Sequence, residues 1–540
     1  MEELWTLVAK YMEPATAAIA VLTLVVPCLS RFTSSLRAIR TSGKPFLDLL
    51  LLPIGLKIAT ERTCVHAPHK MARDLLKAQY VGKSLYNVPT PALVLDLAKV
   101  EANCNLMLGA AQRLNLNWRA HIKTHKTTEL TRLQVGDKIS TPVNLAVSTL
   151  AEAENIVPLL KEYQESSRKV NLLFAFPIYS TCVDRLAPIS AQLGPGGLAV
   201  MVDHPDQIKH LTALASKSGN PPLVFLKVNC GSDRAGVVPD TPECDSLIDK
   251  LLVSEAVGSC EFMGIYAHTS QSYDTRSDWE ALEYLGTEFG AVYRAAQVVR
   301  KERPDHPLII AVGASPQVTS LQHPGFSEPA SGDSPSTPSE ALVHKMSHLI
   351  STLKAENLTL EAHAGVYTTL DIQQLASHAR SSDYLNSAAL ALTVLVEVVS
   401  LYPQRNGDNG TAEALINGGT LALAREPCKD KGSPPGKHYS AWGLVSPWNC
   451  GGQPVPGPNF PAEHEGWEVG RVTQEHGILT WAGTPEEQKH ASLYVGQRLR
   501  VWPNHACITG AQHGWYLIVD SRNRGREDEI VDVWPRWSGW

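Results

Sequence analysis

The chain has 540 residues, too many for one ordinary core, so two or three units are expected. Hydrophobic residues make up 44% of it and charged residues 19%, the balance of a soluble globular protein. With 48 basic and 54 acidic side chains the formal net charge is -6, which argues against the basic face a nucleic-acid binder needs.

The ten cysteines form no CxxC pair and no regular spacing, so they read as reduced thiols of a cytoplasmic setting rather than a disulfide framework. The N-terminus is unusual. Residues 14–29 are almost all apolar and are followed by Arg31, Arg37, Arg40 and Lys44. As a helix that run spans roughly 24 Å, short against a bilayer core of about 30 Å. A membrane anchor, an uncleaved signal-like helix and a helix packed on the body all remain open. Residues 1–74 are therefore set apart as an extension, dispensable or membrane-associated, with any membrane contact confined to residues 1–60.

From Asn87 the pattern becomes regular. A short strand is expected at 92–96, then a helix carrying Val100, Cys104, Met107, Leu108 and Ala111. Residues 114–122 alternate apolar and polar. Trp118, Ala120 and Ile122 share one face, and Arg119, His121 and Lys123 share the other. Further strands are expected at 144–148, 170–176, 198–202, 223–229, 262–268, 308–312 and 358–363. Helices are expected at 151–163, 206–216, 244–254, 279–300 and 341–354. Eight strands alternating with helices over about 250 residues match a β/α barrel. The strand at 92–96 is left over. An open, doubly wound sheet is the alternative, but no G-x-G-x-x-G follows the first strand and no phosphate-loop motif occurs.

A Ser/Pro-rich run within 322–340 reads as a flexible surface loop. From about Leu385 strands appear without long helices, at 389–400, 412–416, 467–474, 498–502, 515–520 and 530–534, with Pro and Gly crowding 427–466. The organisation expected is an α/β chain: a TIM-like barrel over 75–380, then a β domain over 381–540.

Functional groups on a barrel sit where strands end. Lys123 lies among Arg119, His121, His125 and Lys126, cations that disfavour its charged form. A neutral amine there can form a Schiff base with an aldehyde cofactor. Gly313-Ala314-Ser315 and Gly365-Val366-Tyr367 each follow a strand, and are either a phosphate cup of backbone N–H groups or ordinary tight turns. Tyr266 and Tyr273 either pack in the core or flank a flat cofactor. His505 and Cys507, two apart after a strand, suit zinc with positions left open for substrate, although a His-x-Cys pair by itself is common. Glu475-His476 supports that site or lies on the surface.

Read together, these motifs resemble those of the D-serine dehydratase and D-threonine aldolase family, pyridoxal-phosphate enzymes of the alanine-racemase fold type, and within it the eukaryotic-type D-serine dehydratases. The resemblance runs from about Leu75 to Trp540. It rests on Pro89-Thr90-Pro91, Arg119 to Lys126, Ser148 to Glu154, the Tyr266–Tyr273 loop, Gly313 to Pro316, the Gly365 loop, Glu475-His476-Gly477 and Pro503 to Cys507, in that order.

It implies that Lys123 is the catalytic, cofactor-bearing lysine and that Tyr266 and Tyr273 contact pyridoxal phosphate. Ser315, Gly365 and Val366 would hold the phosphate, and His505 and Cys507 would bind Zn2+. It also implies a homodimer, and a D-serine ammonia-lyase yielding pyruvate and ammonia that also takes D-threonine. The alternatives are retro-aldol cleavage of D-threonine to glycine and an aldehyde, or a pyridoxal-phosphate carrier without turnover. Two departures stand out: Ala314-Ser315 where the family has Ser-Thr, and Val366 where it has Asn.

Overall fold

A computed structural model describes residues 66–137, 140–327, 335–403, 405, 410–428, 439–448 and 464–540. The apolar run at 14–29, residues 328–334 of the Ser/Pro-rich stretch, and most of the Pro/Gly-rich stretch lie outside the described residues.

The first strand is β1 (Ala92–Asp96). After it come β2 (Asn117–His121), β3 (Val143–Val147), β4 (Val170–Pro177), β5 (Leu198–Val202), β6 (Leu223–Lys227), β7 (Glu261–Tyr266), β8 (Leu308–Val312) and β9 (Leu358–Ala364). These eight, β2 to β9, pair in parallel in chain order, and β9 returns to β2 to close a barrel. The closure explains the composition. β5 and β6 are buried at every residue, because a parallel sheet covered by helices offers no face to water.

Two apolar clusters divide the work. Leu173, Met201, Phe225, Tyr266 and Ala311 fill the barrel interior. Ala120, Ile122, Leu145, Leu172 and Val200 face outward to helices such as Leu150–Glu165 and Asp278–Glu302.

Arg119 corrects the expected row of cations on β2. It points into the barrel, fully buried, and meets Glu361 of β9 at 2.5 Å, with Asn171 accepting from Nη1 at 2.7 Å. It is a paired core residue rather than part of the barrel mouth.

The second sheet comprises β10 (Leu392–Tyr402), β11 (Glu413–Ile416), β12 (Gly443–Pro447), β13 (Trp467–Val472), β14 (Gly477–Trp481), β15 (Arg498–Pro503), β16 (Trp515–Val519) and β17 (Asp532–Pro535), together with β1. Its order is β11-β14-β13-β12-β15-β10-β1-β16-β17, and a further pairing of β10 with β11 closes six of the strands into a ring. The leftover strand β1 finds its place here, antiparallel to β10 and parallel to β16.

β12 and β14 were not expected from the sequence. β12 abuts the Pro/Gly-rich stretch and β14 is short and opens on Gly477, so only their antiparallel partners make them strands. The helix Val183–Leu193 was missed because Pro188 interrupts its pattern.

Before β1, the helix His66–Tyr80 runs through the boundary expected at 74. It is tied to the body by Arg73–Glu129 and Lys77–Asp532, both 2.8 Å. Among the described residues no helix is long and apolar enough to cross a membrane.

Candidate functional site

Where the barrel strands end against the second sheet lies a cavity of about 650 Å³. Seven of the eight expected site residues line it: Lys123, Tyr273, Ser315, Gly365, Val366, His505 and Cys507. Tyr266 does not. Its ring lies one layer behind, stacked on His363 with centroids 4.0 Å apart, and His363 forms the wall.

Lys123 begins the turn after β2, and the surface it keeps open is the cavity's own. Burial holds its amine below the usual lysine range, with Arg234 adding to the effect while Cys507 and Glu152 oppose it. The lowering was expected to come from the cations around it, and the structure assigns it chiefly to burial. Arg119 is paired with Glu361, and Lys126 meets Glu152 at 3.1 Å. Burial keeps His121 well below its ordinary value and pushes His125 down to about 3, so both rings are neutral.

Glu152 belongs to the N-terminal cap of the helix Leu150–Glu165. Its carboxylate accepts from the Ser148 N–H at 2.9 Å and the Thr149 hydroxyl at 3.1 Å, and so presents a fixed anion to Lys126.

The ends of β8 and β9 sit side by side. A Cβ on Gly313 would meet the His363 carbonyl oxygen at 2.0 Å, and one on Gly365 would meet the His121 carbonyl oxygen at 2.8 Å. Glycine at both positions lets the backbone close around the cavity floor, which fits a phosphate better than an unconstrained turn does. Ser315 opens the short helix Ser315–Thr319 and lines the cavity with Tyr273, whose hydroxyl proton burial holds firmly.

On the far side, β15 delivers His505 and Cys507. Asp371 fixes this segment by accepting from the Ala506 N–H at 2.8 Å and the Gln374 N–H at 2.9 Å. The Cys507 sulfur lies 3.2 Å from Thr124 Oγ1. Burial pushes the Cys507 thiol up, but His505, Lys123 and Thr124 together bring it below an ordinary thiol. Burial works against charge on His505 too, yet Cys507 and Asp371 raise it to about 9.

The two groups thus favour each other's charged forms, and among the described residues His505 Nδ1 is buried without a hydrogen bond, its nearest carboxylate being Glu426 at 3.9 Å. Such a donor pair fits zinc, which binds these groups in their deprotonated forms. Among the described residues no group of three or more His, Cys, Asp or Glu is placed to hold a metal ion. Glu475 and His476 are exposed in the β13–β14 turn, away from the cavity.

Several wall residues were not singled out from the sequence. His268 and His363 end β7 and β9, and burial keeps both rings neutral. Arg234 reaches the cavity from the loop after β6, with no hydrogen bond or ion pair among the described residues. Arg536 enters from beyond β17. The strand-end positions of the two histidines and the Gly231–Arg234 turn were visible signals; nothing local marks Arg536.

Comparison with known proteins follows this geometry. Residues 95–329 match a family model described as "Alanine racemase, N-terminal domain", and residues 391–519 one described as "Putative serine dehydratase domain". The chain is 34% identical over 471 residues to a D-serine dehydratase of Schizosaccharomyces pombe, covering 87% of this chain and 96% of that protein. It is 31% identical over 484 residues to a D-serine dehydratase of Saccharomyces cerevisiae, covering 86% and 99%. The solved structure of D-threo-3-hydroxyaspartate dehydratase from Delftia sp. HT23 superposes with a TM-score of 0.62 at 22% identity, over 85% of this chain and all of that one, and so shares its fold.

Proposed function

This chain belongs to the D-serine dehydratase family of alanine-racemase-like enzymes, and we propose that it converts D-serine to pyruvate and ammonia with pyridoxal phosphate and zinc. The observation that carries the reading is the placement of Lys123 and the His505–Cys507 pair on one cavity. The first suits proton removal at Cα and the second suits release of the Cβ hydroxyl.

Lys123 would hold the cofactor through its Nζ, and the floor formed by Gly313, Ser315, Gly365 and Val366 would take the phosphate. Val366 offers only a backbone N–H, so the hydroxyl of Ser315 is the side-chain donor there. When bound, the cofactor supplies an acceptor for the electron pair left at Cα. His505 and Cys507 would hold zinc, which when bound polarises a hydroxyl oxygen to the extent of several kcal/mol.

The rest follows from the chain's own groups. Arg234, a wall cation without a partner among the described residues, suits the substrate carboxylate. Burial biases Lys123 toward its neutral form, and its Nζ, once the substrate amine has displaced it from the cofactor, would take the Cα proton. His121, His268 and His363 are neutral and do not compete for it. The Lys126–Glu152 pair closes one side. One proton and the hydroxyl leave as water, and the 2-aminoacrylate that remains takes up one water to give pyruvate and ammonia.

The proposal extends to D-threonine, which carries the same β-hydroxyl, as a second substrate. A homodimer and a cytoplasmic setting complete the proposal, the latter supported by free thiols at all seven described cysteines.

The test is product analysis. Pyruvate and ammonia in equal amounts from D-serine support the reading. Glycine plus acetaldehyde from D-threonine, with no pyruvate from D-serine, would assign the aldolase reaction instead. Cofactor absorbance without turnover of either substrate would leave a carrier.

A further inference from the structure

Arg536 is buried, 7% exposed, and among the described residues no carboxylate pairs with it. Its guanidinium is spent on backbone carbonyls of two segments far apart in sequence. Nε donates to His125 O at 3.1 Å and Nη2 to Thr124 O at 3.4 Å, both in the turn that carries Lys123. Nη1 donates to Gly510 O and, at 3.4 Å, to His513 O, where the helix Ala506–Ala511 ends. That helix starts directly after His505 and contains Cys507.

The backbone repeats the link: Arg536 N–H donates to Gly514 O at 2.8 Å and Trp537 N–H to Lys126 O at 2.9 Å. The face of Tyr516 lies 5.7 Å from the guanidinium carbon.

From this geometry we propose that Arg536 is a positioning residue that sets the separation between the Lys123 amine and the His505–Cys507 pair. This rests on the function proposed above. A planar fork can satisfy two carbonyl groups on each side at fixed directions, whereas a lysine ammonium keeps the charge without the fork. With the fork removed, each half of the site stays folded on its own sheet. Lys123 still reaches the Cα proton, while the leaving oxygen and the His–Cys pair fall out of register. Proton removal and loss of the hydroxyl then separate.

The experiment uses zinc- and pyridoxal-phosphate-loaded enzyme in D2O with D-serine. It follows deuterium at Cα of recovered D-serine by NMR alongside pyruvate, with a melting temperature for each variant. The control is Arg168, a second buried arginine clamped on carbonyls, those of Thr141, Gly136 and Val135 at 3.1, 3.1 and 3.2 Å, outside the cavity.

Arg536→Lys is expected to raise the ratio of exchange to pyruvate formation by about 10-fold or more, a misplacement effect. Arg168→Lys should lower the melting temperature and leave the ratio as in the wild type. Gly510→Ala, whose Cβ would meet Tyr516 Oη at 3.1 Å and Arg536 Cζ at 3.7 Å, perturbs the same clamp from the other side and should move the ratio in the same direction if Arg536→Lys does not fold.

A ratio unchanged in the clamp variants, or moved equally by Arg168→Lys, overturns the inference and leaves the function intact. A wild type that exchanges Cα without forming pyruvate overturns the function, and this inference with it.

Discussion

The sulfur of Cys507 lies 3.2 Å from the hydroxyl oxygen of Thr124, the residue next to Lys123, although 383 positions separate the two in the chain. One comes from the turn after the first barrel strand and the other from a helix after a strand of the second sheet. Lys123 and Cys507 therefore sense each other electrostatically, each shifting the other toward its reactive form or away from it.

Lys123→Ala should abolish pyruvate formation and the visible absorbance of bound cofactor together. Cys507→Ala, or chelation of the wild type, should abolish pyruvate formation and leave the absorbance in place. Absorbance lost on chelation would mean that the metal supports the cofactor rather than the leaving group.

The barrel interior should be sensitive to one-sided removal of its ion pair. Glu361→Ala strands the fully buried Arg119 guanidinium and is expected to cost about 3–5 kcal/mol in denaturant unfolding. The double variant Arg119→Met/Glu361→Leu should recover most of that loss. If it is as unstable as the single variant, packing rather than charge governs the site.

Gly313→Ala should weaken cofactor binding and the fold at once. The added methyl would lie 2.0 Å from a backbone oxygen of the neighbouring strand, which cannot rotate away. Overpacking of this kind costs about 1–3 kcal/mol. Equilibrium dialysis with pyridoxal phosphate and thermal unfolding of the apo-protein would read the two effects. Unchanged values would show that β8 and β9 can separate there.

Glu468 on β13 is a largely buried carboxyl that burial alone pushes up to about 7. The sign follows from linkage. The folded state holds a proton that the unfolded chain releases between about 4.5 and 7, so stability falls as pH rises through that window. Glu468→Gln should remove this loss and stabilise the protein above pH 7 by roughly 2 kcal/mol, with little difference near pH 4. Denaturant midpoints at several pH values check it, and a variant no more stable than wild type at pH 8 would refute the assignment.

The barrel was legible because its strands are short apolar runs repeated between amphipathic helices, and that pattern survives without tertiary information. The second sheet was legible only in part. Its long strands announce themselves, but β12 and β14 exist through their partners, and β1, read next to the barrel, pairs instead with β10 and β16. Among site residues the strand-end positions showed Lys123, Ser315, Gly365 and the His505–Cys507 pair. Tyr266 could not be placed, since a tyrosine at a strand end faces either the cavity or the layer beneath, and His363 took the wall.

By itself, then, the sequence determined the barrel and most of the expected residues that gather on the cavity, because strand period, helix period and strand-end motifs are local properties. The tertiary structure alone decided what holds the Lys123 amine below the usual lysine range. The sequence offers a row of cations as the cause, but Glu361 and Glu152, both distant in the chain, pair with two of them, and enclosure by the second sheet supplies the desolvation. Charge pairing and burial depend on which surfaces meet. No window of the chain contains both Lys123 and the segment that Arg536 clamps against it.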